Sequence, residues 1–390
     1  MTNNFDTRKS CIPFDQSKTL VAVIELSQKT WLVGGIVPGL KRSPAKKLTG
    51  ANKEGETLRL LLRWRDEAIQ SGQAIERIAV AFETGRDGFW LARWLKAQGM
   101  IEAYVIHAAS TAVSREHRRA KTDRLDIELL QRGFLGWLRG EVGHCKMVAI
   151  PSREEEDSKR PGRERETLVS QCTRIVNGMK GDLARLGVCN FNPKLRKAPA
   201  KLDAVRTPEG CPIPPNTIAK LKRDMERLRQ IKEQIRQIET ERLERIEKAP
   251  EEKAHAMIVL LARVLGMGIE TADMLVHEAL SRNLRDRRAV ARLGGLTGSP
   301  DESGSRRREK GLARAGSARL RTGMIQLAWR MVMFQKDCAL VQWFMARTAD
   351  GRPQTRKTMI VALARKLLIA FWRMVTTGEI PEGMILRPAA

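Results

Sequence analysis

Four carboxylates and one serine in this chain are of types that could together break and rejoin a phosphodiester. Glu25 closes the apolar run at residues 19–24, and Glu83 closes the one at 78–82. Asp123 and Asp126 stand three apart in Lys121-Thr-Asp-Arg-Leu-Asp126. That spacing puts both on one helical face, and carboxylates at strand ends beside them are the oxygen donors a hard cation selects. Two Mg²⁺ ions roughly 3.5–4 Å apart stabilise both the attacking and the leaving oxygen of such a reaction. Singly, each acid is more simply a solvated residue, and Asp123 and Asp126 also suit a helix N-terminus. It is the ordered set that suggests chemistry. Ser303 lies in Asp301-Glu-Ser-Gly-Ser305, just before Arg306, Arg307, Arg308 and Lys310, where a phosphate would be drawn to the hydroxyl. On local chemistry alone Ser299, Ser305 and Ser317 are equally eligible.

The composition supports a polyanionic partner. Lys and Arg number 71 against 45 acidic residues, a net charge of +26, and the isoelectric point is about 10.4. Such a balance is expected of a nucleic-acid-binding protein. No apolar run approaches the roughly 18–20 residues needed to span a bilayer, and residues 1–18 lack the apolar core of a signal peptide, so a cytoplasmic protein is expected rather than a membrane one. The six cysteines are scattered without the close pairs of a zinc site or disulfide framework. Aromatic residues make up 5% of the chain, too few for base stacking to dominate binding. Apolar residues make up 42%, which supports real cores in two or three domains.

The elements that must position the five residues follow from periodicity. Strands are expected at 19–26, 31–37, 78–83 and 101–107, and helices at 56–71, 86–98 and 122–138, giving a mixed α/β domain over 19–150 behind a tail at 1–18. Glu25 and Glu83 then end neighbouring strands, where α/β folds place their sites. The charged stretch 152–166 reads as a linker or the solvated start of a helix, opening a central region at 151–250. Helices are expected at 166–186 and 216–248, with a Pro- and Lys-rich loop at 189–215 between them. Ile218, Leu221, Met225, Leu228, Ile231, Ile235 and Ile238 recur at steps of three and four, which fits either a coiled-coil seam or a hairpin within one chain. The remainder, 251–390, is mainly helical, with a last long core helix at 358–375. In it, Leu265-Gly266-Met-Gly268-Ile269 resembles a helix-hairpin-helix turn that offers backbone N–H groups to a phosphate. Residues 292–308 are rich in turn formers and are expected to be a loop.

Basic residues surround both candidate halves. Arg115, Arg118, Arg119, Lys121 and Arg124 flank the aspartate pair, and Arg314, Arg319 and Arg321 follow Ser303. A basic cluster is commonly just a solvated face; beside catalytic candidates it is read as holding a scissile phosphate or an RNA backbone. Tyr104, the one tyrosine, lies in an expected buried strand and is set aside as a nucleophile, and the five histidines are isolated.

In order along residues 19–380, Ile24-Glu-Leu-Ser-Gln-Lys29, Phe82-Glu-Thr-Gly85, Lys121-Thr-Asp-x-x-Asp126, Gly266-Met-Gly268, Gly294-Gly-Leu-Thr297, Glu302-Ser-Gly-Ser305 and Ala315-Gly-Ser-Ala-Arg-Leu-Arg321 resemble the DEDD transposases of the insertion sequence 110 family. The resemblance implies an N-terminal RuvC-like, RNase H-fold domain, a central helical coiled coil and a mainly helical C-terminal transposase domain. It implies that Glu25, Glu83, Asp123 and Asp126 bind Mg²⁺ and that Ser303 becomes joined to the 5′ phosphate of DNA. It also implies a structured bridge RNA that pairs with donor and target DNA, leaving the protein to read phosphates and shape. A homo-oligomer, dimer or tetramer, would unite the acids of one subunit with the serine of another. The chain departs from the pattern at its first acid, where Glu25 stands for the usual Asp. Two readings compete with this one: a RuvC-like metal-dependent nuclease in which Ser303 is structural, and a decayed, non-catalytic nucleic-acid-binding protein.

Overall fold

A computed structural model describes residues 7–41, 43–83, 85, 88–111, 122–303, 306–312 and 315–388. Its contacts divide the chain into two units, Met1–Ser152 and Arg153–Ala390.

The first unit is built on a five-stranded sheet of β1 (Thr19–Leu26), β2 (Thr30–Ile36), β3 (Ala45–Thr49), β4 (Arg77–Glu83) and β5 (Ile101–Ile106), in the order β3-β2-β1-β4-β5. Strand β2 runs antiparallel to both β1 and β3, whereas β4 lies parallel to both β1 and β5. The sequence pattern missed β3, in which only Leu48 is buried. Its Lys46 and Lys47 hide the apolar alternation, and lysines also discourage pairing of an open sheet edge with another chain.

Three helices cover the sheet: α1 (Lys53–Gln70), α2 (Trp90–Lys96) and α3 (Asp123–Leu138). The second is shorter than its expected span because Gly88, at φ 70°, turns the chain just before it. Strand alternation assigns the two faces. Leu20, Ala22, Ile24, Val80 and Phe82 join Leu61 and Trp64 of α1 and Leu91 and Leu95 of α2 in one core. Val21, Val23, Ala79 and Ala81 join Ile127, Leu130, Phe134 and Trp137 of α3 in the other. Adjacent glycines in β2 let helices from both sides reach the backbone. A Cβ on Gly34 would lie 2.5 Å from Ile127 Cγ2, and one on Gly35 would lie 2.7 Å from the Trp64 ring.

The second unit contains α4 (Arg153–Asp157), α5 (Arg160–Ala184), α6 (Ala198–Lys201), α7 (Pro215–Lys248), α8 (Lys253–Ala262), α9 (Ile269–Leu275), α10 (Arg287–Leu293), β6 (Gly298–Ser303), β7 (Arg306–Leu312), α11 (Ala318–Phe334), α12 (Ala339–Arg347) and α13 (Pro353–Thr377). The apolar seam of α7 meets α5 of the same chain: Leu221, Met225 and Leu228 pack with Val176, Met179 and Leu183. Of the two alternatives for the seam, the one observed is the hairpin within one chain. Helices α8 to α13 share a core in which Met324, Leu327 and Met331 of α11 meet Leu363, Leu367 and Phe371 of α13. Gln335, fully buried, donates to the carbonyls of Leu265 (2.8 Å) and Ile385 (2.9 Å) and accepts from the Ile385 amide (2.8 Å). One side chain thereby satisfies the turn after α8 and fastens the C-terminal segment to it.

The expected loop at 292–308 is corrected in part. Residues 298–303 are strand β6, paired antiparallel with β7 as a two-stranded sheet. Turn residues dominate this segment because the hairpin is short and has few apolar positions to show a period of two. Among the described residues, no helix is long and apolar enough to cross a membrane.

Candidate catalytic and nucleic-acid site

In the first unit, the sheet brings two of the acids together. Ile24 pairs with Phe82 across the parallel strands β1 and β4, so Glu25 and Glu83 are the next pair along, at neighbouring strand ends. Both continue the parity of Val21, Val23, Ala79 and Ala81, the residues that face α3. Both are half-buried, and Glu83 Oε1 accepts a hydrogen bond from Thr111 Oγ1 at 3.1 Å. Thr111 is a contact that sequence reasoning missed, because nothing in its neighbourhood marks it.

The helix beside this pair starts where the aspartates stand. Thr122 caps α3 by accepting from the Leu125 amide, and α3 begins at Asp123. Asp126, half-buried, precedes buried Leu130 by one turn and so lies on the sheet side of the helix. The side chain of Asp123 lies outside the described residues, as do Arg115, Arg118, Arg119 and Lys121. Among the described residues, no three His, Cys, Asp or Glu side chains are grouped closely enough to hold a metal ion. Arg124 projects into solvent and pairs with Glu128 at 3.2 Å.

Tyr104 is half-buried rather than buried. Its ring packs against Phe134 and Trp137, and its hydroxyl donates to Glu102 Oε2 (2.5 Å) and accepts from Arg77 (2.9 Å). Burial and the Glu102 carboxylate push the phenol up to about 12, which leaves it a poor nucleophile.

In the second unit, Ser303 is the last residue of β6. It pairs with Arg306, and behind it Glu302 pairs with Arg307 and Asp301 with Arg308. An acidic strand ending in the serine thus runs beside a basic one carrying Arg306, Arg307, Arg308 and Lys310. The side chains of these residues and of Ser303, like Ser305 and Arg314 altogether, lie outside the described residues.

The base of this hairpin is held by close backbone contact. The Ser317 amide donates to the Leu293 carbonyl (2.8 Å), and Ser317 Oγ caps α11 by accepting from the Leu320 amide (3.2 Å). Gly316, at φ 113°, lies where a Cβ would stand 2.4 Å from the Arg292 carbonyl oxygen; at Gly295, φ 60°, one would stand 2.7 Å from the Ala315 carbonyl oxygen. These contacts explain why glycines occur in both Gly294-Gly295 and Ala315-Gly316-Ser317. Arg321 Nη1 is buried close to Gly295 and has no hydrogen-bond partner among the described residues.

Arg319 is engaged otherwise, by carboxylates: Glu166 at 2.7 Å and Glu278 at 2.9 Å. Glu278, 4% exposed, also binds Arg163 at 3.0 Å. Burial pushes the Glu278 carboxyl up, but the Arg163 hydrogen bond and the charges of Arg163 and Arg319 outweigh it and hold the group below the usual carboxylate range. Its one sequence signal is an acid inside the apolar stretch Ala272–Leu280. That stretch follows the Gly266-Met-Gly268 turn, in which Gly266 takes φ 90° against Phe334 and Gly268 is the exposed N-cap of α9.

The family described as Transposase IS116/IS110/IS902 matches residues 259–342, the span from α8 through the serine hairpin to α12. "Putative transposase y4rJ" of Sinorhizobium fredii (strain NBRC 101917 / NGR234) is 38% identical over 374 residues, covering 93% of each chain. The chain belongs to this transposase family. DNA is therefore its partner and DNA transposition its activity, and the excess of 71 basic over 45 acidic residues is that of a protein that handles nucleic acid. Transposases cut and rejoin strands, and the carboxylate pair and the serine hairpin are candidates for that chemistry.

Proposed function

We propose that this transposase cuts and rejoins DNA through a covalent 5′-phosphoserine, with a RuvC-like acidic site assisting. The observation that carries the reading is the register that makes Glu25 and Glu83 neighbours on the α3 face of the sheet. Its order, with three antiparallel strands followed by two parallel ones, supports an RNase H-type domain. Two same-face carboxylates at strand spacing, about 4.7–4.9 Å between backbones, repel each other, and a divalent cation would relieve that. The donors are all oxygen, as Mg²⁺ requires, with Asp126 and Asp123 at the start of α3 supplying the remainder. Bound there, Mg²⁺ would neutralise charge developing on the scissile phosphate.

The protein groups then have separate tasks. Ser303 Oγ attacks phosphorus; the new Oγ–P bond replaces the P–O3′ bond, the serine proton is lost to solvent or a nearby base, and the 3′ oxygen leaves and is protonated. Rejoining reverses this, with a 3′-hydroxyl expelling the serine. Arg306, Arg307, Arg308, Lys310 and Arg314 hold phosphate oxygens, and Arg321 supports the hairpin base. Arg118, Arg119, Lys121 and Arg124 flank the acids, and the Gly266–Gly268 turn supplies a further phosphate contact. A bridge RNA chooses donor and target by base pairing, and a homo-oligomer, dimer or tetramer, unites the two halves of the site.

A second reading, metal-dependent cleavage with no covalent intermediate, is favoured by one observation: the strand-end carboxylates and α3 all belong to the first unit, without the serine. Expressing the protein with the DNA flanking its gene, which would encode the RNA, separates the two. A DNA adduct should form with wild type and be lost in Ser303→Ala and in Asp126→Ala, while nucleic-acid binding persists. Strand cleavage by Ser303→Ala at the wild-type rate would sink the nucleophile assignment in favour of the nuclease, and binding without cleavage at any Mg²⁺ concentration would mark a decayed copy.

A further inference from the structure

The α5–α7 hairpin carries a folded cap at its far end that the transposition chemistry does not use. Residues 187–214 close the hairpin, and Ala198, Leu202 and Ile213 pack with Met179, Leu183 and Leu221 beneath them. The cap is therefore an ordered platform. Lys194, Arg196, Lys197 and Lys201 stand exposed on it, the last two one helical turn apart.

Several cations of the shaft below are paired: Lys220 binds Asp182 and Asp224, Arg229 binds Glu226, and Arg236 binds Glu233. Arg174, Lys180, Arg223 and Lys232 of the shaft, by contrast, are exposed and, like the cap cations, form no ion pair among the described residues. None of the four cap cations forms an ion pair among the described residues, and the nearby Asp203 is held by Lys222 at 2.9 Å. Unpaired cations on a rigid support offer their charge to a partner, whereas paired ones have spent most of theirs.

The base of the same hairpin is fixed to the part of the unit that carries the serine. Arg165 binds Glu239 of α7 and Glu270 of α9, and Glu166 of α5 binds Arg319, at the start of α11 next to the hairpin base. At ~1.5 Å per residue, α7 from Pro215 to Glu239 runs roughly 36 Å. One turn of B-DNA measures about 34–36 Å.

We infer that the cap is a docking surface for the phosphate backbone of duplex DNA, contacting it about one helical turn from the second unit's helical bundle. The occupant is DNA because DNA is the partner that family membership establishes, and the inference does not depend on the phosphoserine mechanism. Lys194, Arg196, Lys197 and Lys201 each neutralise a phosphate, adding affinity and footprint without sequence preference.

The test uses the full-length protein and a non-specific duplex of about 40 base pairs, roughly four turns long. The comparison is between wild type and Lys194→Gln/Arg196→Gln/Lys197→Gln/Lys201→Gln, with an RNA hairpin of equal phosphate number as the second probe. The slope of log affinity against log salt should become shallower by about 2 to 4 on DNA. The number of base pairs covered per protein should shrink by about one turn. A variant that keeps the charge, Lys194→Arg/Lys197→Arg/Lys201→Arg, should retain the wild-type slope, and unchanged circular-dichroism melting should show that both variants fold. An unchanged DNA slope overturns the inference. A fall as large or larger on RNA overturns the assignment to DNA.

Discussion

The two regions with catalytic candidates are built on opposite principles. Glu25 and Glu83 end strands of a sheet packed by helices on both faces, so their spacing is set by ladder hydrogen bonds and two apolar cores. Ser303 ends one strand of a hairpin that is a two-stranded sheet by itself. Two strands alone are marginal in water, so its placement depends on the clasp at its base, where Gly295 and Gly316 let backbones touch. On the proposed reading, acids that bind a metal must keep a fixed mutual distance, whereas a nucleophile has to reach a phosphate and later release it. The difference predicts that the acids are disturbed through the core and the serine through the clasp.

The largest expected effect tests the first half of that contrast. Gly34→Val pushes a side chain into Ile127, which is 4% exposed and, being branched at Cβ, has little room to yield. The first unit should lose about 3 kcal/mol of stability, the overpacking penalty of a dense core. Urea denaturation followed by hydrogen exchange should show protection falling in β1, β2 and α3 but not in α11 or α13. Equal loss in both units would break the comparison.

A smaller effect sits in the second unit. Because the Glu278 carboxyl is held below its usual range in the folded state, its contribution is present above the unfolded carboxylate pKa and is lost as pH falls through the lower folded value. Glu278→Gln should cost about 2 kcal/mol at pH 7, reduced from the usual cost of breaking a buried pair because Arg163 is 58% exposed and Arg319 keeps Glu166. Thermal melts at falling pH should bring the two proteins together in the acid range. A difference that stays constant down to acid pH would mean that packing, not charge, is what Glu278 contributes.

How much of this could be read from the chain follows the same division. Strands β1, β2, β4 and β5 were legible because one face or both are buried, and the acids at their ends followed from position. The edge strand β3 and the serine hairpin were not, since Lys46, Lys47 and the run of charged residues from 301 to 310 leave no apolar period to read. The seam of α7 was visible, but its partner was not, because a stripe at steps of three and four fits a second chain as well as α5. Glu278 and its arginines depend on residues far apart in sequence, and no local pattern announces them.

The smallest effect concerns Glu25 itself. Glu25→Asp removes one methylene from a side chain whose backbone is fixed by pairing with β2 on one side and by the β1–β4 ladder on the other. The sheet cannot move to make up the difference, so the shorter carboxylate must alter the geometry of anything bound between it and Glu83. The resemblance to DEDD transposases implies Asp at this position, and α3 can absorb a small change because Asp126 stands in its first turn. Adduct formation in Glu25→Asp should therefore stay within about tenfold of wild type, a shift near 1.4 kcal/mol, with a changed Mg²⁺ concentration dependence and unchanged melting. A loss as deep as that of Glu25→Ala would show that the longer side chain is required by this sheet. An unchanged Mg²⁺ dependence in both variants would remove Glu25 from the proposed metal site.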